Sequence, residues 1–229
     1  MSTMTAAVGL ATFGVLSLAC SRKPQPEPAG AGLVGSASAA QFATTSSGSA
    51  QLGAVAPDFE LPDLDGKLVK LSSFRGKTIV LEWFNPGCPF VKASHTKGSL
   101  VDTAARHEKN GVVWFAINSG AKGKQGHGVE TNREAKRRFN LPHPVLLDES
   151  GAVGRAYAAA HTPHMYVIEP NGVLVYRGAI DNSPDGEGDS PTGGKLVNYI
   201  DAAVADVAAG KPVATPQTEA YGCSVKYQM

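Results

Sequence analysis

The segment Thr78-Ile79-Val80-Leu81-Glu82-Trp83-Phe84 constrains the fold more than any other, being a nearly continuous β-favouring apolar run interrupted by one carboxylate. A strand that is apolar on both faces needs cover on both, so it belongs in the middle of a sheet with helices above and below. Asn85-Pro86-Gly87 ends the run, and Cys88-Pro89 opens a helical stretch through Phe90, Val91, Leu100 and Ala104 to about His107. Proline suits a first helical turn, where the amide it lacks would have no partner. A second buried strand is expected over 112–117. A Gly/Lys-rich loop over 119–128 then leads to a polar helix over 131–139, a short strand over 144–148 and an Ala-rich helix over 152–160. Strands over 165–168 and 173–176 flank Glu169-Pro170-Asn171-Gly172, a hairpin turn signature. Leu196, Tyr199, Ile200, Ala203, Val204 and Val207 stand near helical spacing and predict an amphipathic helix over 194–209. Ahead of all this, 56–61 reads as an extended entry segment, Asp65-Gly66-Lys67 as a turn before a strand over 68–71, and Ser72 or Ser73 as the cap of one helical turn. The order β-α-β-α-β-β-α implies an α/β fold: a mixed sheet with central parallel strands, a C-terminal hairpin, and helices on both faces.

The chain has 229 residues and a net charge of +1, enough for one domain with its own core. Near-neutral charge gives no reason to expect nucleic acid as a partner. Arg133, Lys136, Arg137 and Arg138 read as the solvated face of a helix. No charged side chain occurs over 1–19, and 6–18 has the small apolar character of an export-signal core, ending in Leu16-Ser17-Leu18-Ala19-Cys20. This looks like a bacterial lipoprotein signal, with lipid on Cys20 tying the protein to a membrane. A signal cleaved without lipid, an uncleaved anchor and a different N-terminus are the alternatives. Residues 21–52, rich in Pro, Gly, Ala, Ser and Thr, read as a disordered tether, and the folded domain is expected over 53–229 with a tail from about 210. Export implies the periplasm or the outer face of the envelope, where disulfides persist. Lipid on Cys20 would leave Cys88 and Cys223 to pair.

Cys88 stands between a buried strand and a helix, where the amides and dipole of a helix start favour an anion and lower a thiol's pKa. An inert core cysteine is the other reading; Pro86, Gly87 and Pro89 speak against it, since they shape a loop and fill no core. Glu82 is the single charge of the central strand, and a buried carboxylate must find a partner or take up a proton.

Several motifs, in order, resemble the redoxin branch of the thioredoxin superfamily over 53–229. They are Trp83-Phe84-Asn85-Pro86-Gly87-Cys88-Pro89-Phe90-Val91, Ala116-Ile117-Asn118-Ser119, Thr162-Pro163, Tyr176-Arg177-Gly178-Ala179-Ile180-Asp181 and Tyr221-Gly222-Cys223-Ser224-Val225-Lys226. That branch holds peroxiredoxins and the tethered thioredoxin-like proteins of cytochrome maturation, and a peroxiredoxin-like or thioredoxin-like bacterial subgroup with a Gly-Cys-Ser ending is the nearest match. The resemblance implies that Cys88 is the nucleophile of a CxxC motif whose second cysteine is replaced by Val91. It implies that Thr162-Pro163 is the cis-proline turn beside it, that Glu82 is a buried proton relay, and that Trp83, Asn85, Pro86, Gly87 and Pro89 support the active-site loop. Cys223 would then be a remote partner that forms a disulfide with Cys88.

The implied activity is thiol-disulfide exchange with protein thiols and disulfides or a redoxin reductant, and no cofactor is called for. A thiol-dependent peroxidase acting on peroxide is the enzymatic alternative, although Asn85 stands where peroxiredoxins carry Thr. A non-catalytic peptide-binding envelope module is the alternative from another class. His95, His161 and His164 with Cys88 invite a copper or zinc reading, but no dense ligand motif supports it, and no metal is expected.

Overall fold

A computed structural model describes Thr44–Thr45 and residues 48–228. Cys20, the signal segment and most of the expected tether lie outside the described residues. The elements are β1 (Thr44–Thr45), β2 (Phe59–Pro62), β3 (Leu68–Lys70), β4 (Ile79–Trp83), α1 (Pro89–Thr96), α2 (Thr103–Lys109), β5 (Val113–Asn118) and α3 (Val129–Arg138). There follow β6 (Val145–Leu147), α4 (Ala152–Ala156), β7 (His161–Thr162), β8 (His164–Ile168), β9 (Leu174–Gly178), α5 (Tyr199–Ala208) and β10 (Cys223–Ser224). A 3-10 turn, Leu71–Phe74, stands where one helical turn was expected.

The main sheet has the order β6-β5-β4-β8-β9. β4 runs parallel to β5 and β5 to β6, while β8 is antiparallel to both β4 and β9. Every residue of β4 is buried, as a strand covered on both sides must be. Its side chains alternate between two cores. Ile79, Leu81 and Trp83 pack with Phe59, Leu61, Tyr157 and Tyr166 on the face covered by the β2–β3 hairpin and α4. Val80 packs on the opposite face with Leu100, Ala104, Trp114, Ile200 and Val204 from the α2 and α5 side. A third cluster joins Phe84, Cys88, Val91, Phe139 and Leu147 at the C-terminal end of the sheet. Burying a side chain such as Leu81 contributes about 1.5–3 kcal/mol, so these clusters fix where β4 ends and the loop to Cys88 begins.

Several boundaries differ from the sequence reading; the Ala-rich helix, for one, ends at Ala156 and not at 160. The fold starts before Gly53: β1 pairs with Phe59 and Glu60, Ala50 is buried, and its amide donates to the Ala156 carbonyl at 2.7 Å. The helix expected from Cys88 to His107 is two helices. A side chain at Gly98 would collide with the Gly186 carbonyl, and the Ser99 hydroxyl donates to Asp181, so the chain turns there to meet the 181–198 loop. The last helix begins at Tyr199 instead of 194, because Asn198 caps it with Oδ1 accepting from the amides of Ile200 and Asp201, both at 3.0 Å. Leu196, counted in the apolar stripe, lies outside the helix and is exposed.

Candidate active site

Cys88 is the N-cap residue of α1 and is 0% exposed. The loop that delivers it is held by its own side chains. Asn85 Oδ1 accepts from the Gly87 amide at 2.9 Å, while Asn85 Nδ2 donates to the Gln125 carbonyl at 3.3 Å. The first bond closes an Asx turn; the second ties it to the 119–128 loop. Pro86 is buried and its carbonyl accepts from Arg138 at 3.5 Å. Gly87 and Pro89 face solvent. Trp83, fully buried, anchors the end of β4 by donating to Ser119 Oγ at 3.0 Å, and Ser119 in turn donates to Asp148 at 2.7 Å.

Thr162 and Pro163 lie directly across from the thiol. The peptide bond between them is cis, and Cys88 Sγ donates to the Thr162 carbonyl at 3.0 Å. β8 sets this turn in place, since its first residue His164 pairs with Trp83 at the end of β4. Cys223 arrives from the far end of the chain. In β10 it pairs antiparallel with Thr162, and Ser224 with His161; the Thr162 hydroxyl donates to the Cys223 carbonyl at 3.4 Å. Both cysteines are free thiols, and Cys223 packs against the buried cluster that contains Cys88.

That contact divides the two thiols electrically. Burial pushes Cys88 up, but the side-chain hydrogen bond from Cys223, the amides of Val91 and Cys223, and the Thr162 side chain outweigh it, so Cys88 lies below the ordinary thiol value. The Val91 amide does not make a capping hydrogen bond of ordinary geometry, so it acts as one of several donors around the sulfur. Cys223 moves the opposite way, pushed up to about 11 by burial, by its hydrogen bond to Cys88 and by the charge there. Val91, where a CxxC motif has its second cysteine, is a buried apolar wall of the same cluster.

Glu82 is fully buried on the helix-covered face of β4. Its Oε1 lies 2.7 Å from His95 Nε2, and Trp114 Nε1 donates to Oε2 at 3.4 Å. Two acceptors at that separation repel, so the Glu82–His95 contact holds at least one proton. His95 packs between Phe84 and Phe139 of the cluster that contains Cys88. Sequence reasoning considered His95 only as a metal ligand. The signal for its real partner was its place on α1 with Val91 and Ser94, the face that turns inward. His164 lies tilted against Tyr166, ring centroids 4.6 Å apart, with its Nδ1 3.2 Å from the Tyr166 hydroxyl. Among the described residues no group of three or more His, Cys, Asp or Glu is arranged to hold a metal ion. Gln125 also frames the site without having been singled out from the sequence, and Tyr221 and Asp181, which entered only as parts of longer motifs, bond to each other beside it.

A family model described as Redoxin matches residues 51–194. Among solved structures, a hypothetical protein from Sinorhizobium meliloti is 31% identical, with a TM-score of 0.68 over 81% of this chain and 99% of its own. An uncharacterized conserved protein from Geobacillus kaustophilus is 32% identical, with a TM-score of 0.68 over 81% of this chain and 96% of its own. The thiol-disulfide oxidoreductase ResA of Geobacillus thermodenitrificans is 31% identical over 122 residues, 53% of this chain and 65% of ResA. The chloroplastic peroxiredoxin Q of Oryza sativa subsp. japonica is 28% identical over 142 residues, 56% of this chain and 59% of that protein. The chain thus spans less than two thirds of the length of these curated relatives. No helix among the described residues is long and apolar enough to cross a membrane.

Proposed function

The chain belongs to the redoxin family, and on that premise we propose that it is a thiol-disulfide oxidoreductase of the cell envelope, with Cys88 as nucleophile and Cys223 as resolving thiol. The observation that carries this reading is the placing of both thiols on Thr162, whose carbonyl accepts from Cys88 Sγ at 3.0 Å and whose backbone pairs with Cys223; beside each other, Cys88 lies below and Cys223 above the ordinary thiol value. A thiolate at Cys88 attacks one sulfur of a substrate disulfide; a Cys88–substrate S–S bond forms, the substrate S–S bond breaks, and the departing thiolate takes a proton. Cys88 is then uncharged, so Cys223 loses the neighbouring charge that opposed its ionisation. Its thiolate attacks Cys88 Sγ, forming the Cys88–Cys223 disulfide and expelling the second substrate thiolate, which is also protonated. The substrate gains two electrons and the protein dithiol loses two; a reductant dithiol returns them. In this reading Gly222-Cys223-Ser224 carries the resolving thiol, and the lipoprotein-like stretch before Cys20 supports a tethered envelope location with protein thiols and disulfides as partners.

Reduction of a model protein disulfide tests the chemistry. Cys88→Ser should abolish it, and Cys223→Ser should stall as a mixed disulfide visible as a mass adduct on Cys88. Undiminished turnover by Cys88→Ser would sink the reading.

One observation favours a second reading. Cys88 is wholly covered, which suits a small oxidant better than a large one. A peroxide would oxidise the Cys88 thiolate to a sulfenic acid, releasing water or an alcohol, and Cys223 would condense with it to give the disulfide and water. Asn85, in the place of the peroxiredoxin Thr, is committed to Gly87 and Gln125, and the Thr162 hydroxyl acts on the sulfur instead. Rapid Cys88-dependent consumption of peroxide with a dithiol reductant would establish this reading, and its absence would remove it.

A further inference from the structure

The C-terminal segment does more than carry Cys223. We propose that residues 221–228 form a strap occupying, in the resting protein, the strand position on β7 that a polypeptide substrate needs, so that strap release gates access to Cys88. This rests on the exchange chemistry proposed above and adds a requirement to it.

The strap is fastened on both sides of Cys223. Before it, the Tyr221 hydroxyl donates to Asp181 Oδ1 at 3.1 Å and its ring lies 6.3 Å from that of Phe90 on α1. Gly222 has φ +112°, and a Cβ there would collide with the Thr162 carbonyl, so the chain presses against the cis-proline turn as only glycine allows. Beyond Cys223, the Val225 amide donates to the Ala160 carbonyl at 3.0 Å and the Ala121 amide to the Lys226 carbonyl at 2.9 Å. Tyr227 donates to the Ala159 carbonyl at 2.7 Å, and the Arg155 guanidinium lies over its ring at 4.9 Å while donating to the Gln228 carbonyl at 3.0 Å.

These fastenings are half-buried, with Val225 alone packing against the main core. None of residues 221–228 is fully buried, and the ladder to β7 is two residues long. Yet the strap covers a thiol that is 0% exposed. A segment with few buried apolar contacts opens locally long before the domain unfolds. Once it lifts, the backbone of His161 and Thr162 is free to accept an extended chain as an antiparallel strand. An incoming cystine sulfur would then stand where Cys223 stood. The partner class is therefore an extended, disulfide-bearing polypeptide segment that competes with the strap by strand exchange.

Alkylation of the reduced full-length chain by iodoacetamide, followed at the Cys88 peptide by mass spectrometry across pH, tests the strap without using activity. The high-pH plateau of the rate reports access, and its midpoint reports ionisation. Gly222→Ala should raise the plateau by about tenfold or more, because it favours the opened state. Tyr221→Phe, which removes only the hydroxyl tether, should raise it about fivefold, the scale of one net hydrogen bond. Tyr221→Phe also serves if the glycine variant does not fold. Plateaus equal to wild type in the folded variants would overturn the strap. A raised plateau without Cys88-dependent disulfide reduction would keep the strap and discard the chemistry, whereas Cys88-dependent reduction with unchanged plateaus would do the reverse.

Discussion

The closeness of Cys223 to Cys88 gives the two thiols different jobs. An S–H at Cys223 that donates to Cys88 stabilises a thiolate at 88 and, for the same reason, resists losing its own proton. The asymmetry lasts only while Cys88 carries charge, so it favours attack by Cys88 first and ionisation of Cys223 second. It follows that Cys223→Ala should move the Cys88 titration midpoint upward, shrinking the thiolate fraction at any fixed pH below it. Cys223→Ser, whose hydroxyl still donates, should move it less. The midpoint of a pH-dependent alkylation curve reads this directly, and equal midpoints in the alanine variant and the wild type would mean that Cys223 does not set Cys88. Neither change needs to alter the cis-proline turn, because Thr162 reaches the sulfur through its own backbone and side chain.

Elements were legible in the sequence where periodicity or turn chemistry alone decides them. β4 and β5 are apolar runs, the β8–β9 hairpin has its turn residues, and all three stand within a residue or two of their expected places. What was not legible depends on contacts distant along the chain. The break between α1 and α2 exists because the Gly186 carbonyl approaches Gly98, which no local pattern announces. β10 is a two-residue strand with no period to detect, so Cys223 could be tied to Cys88 only through cysteine count and resemblance. The partnership of Glu82 with His95 spans a strand and a helix, and composition marked the carboxylate as needing a partner without saying which. The start of α5 was misplaced because the apolar stripe extends past the cap: Leu196 fits the spacing, but Asn198 is the residue that satisfies the first amides. Asn198→Ala should therefore lower stability by about 1 kcal/mol, within a range of about 0.5–2. Urea denaturation should show a lower midpoint with an unchanged slope, and no shift would mean that packing of Ile200 and Val204 alone fixes the helix start.

At the scale of the whole molecule, the fold buries bases that it cannot easily charge. His143 is fully buried, stacked on Trp114 at 5.8 Å, with neither ring nitrogen hydrogen-bonded among the described residues. Burial first, then the nearby charges of His95 and Lys136, hold it well below the ordinary histidine value. His164 is lowered to about 4, again by burial first and then by His161 and Arg177. A base depressed in the folded state is stabilising above its unfolded value of 6.5; as pH falls below that, the unfolded chain binds the proton that the folded chain refuses, and stability is lost. Asp148 works the other way. Burial raises it above 3.8 despite hydrogen bonds from Ser119, Gly154, Val153 and Ser150, so its contribution weakens as pH rises through the acid range and offsets the histidines only at the bottom of their window. Each fully titrating histidine changes stability by about 1.4 kcal/mol per pH unit. The protein should therefore be clearly less stable to urea at pH 5 than at pH 7.5. His143→Leu, which keeps an apolar side chain against Trp114, should narrow that difference by about 2 kcal/mol, with the gain appearing at the acid end. If the variant loses as much stability on acidification as the wild type, the pH dependence belongs to His164 or to the surface, and His143 is not the group the fold refuses to charge.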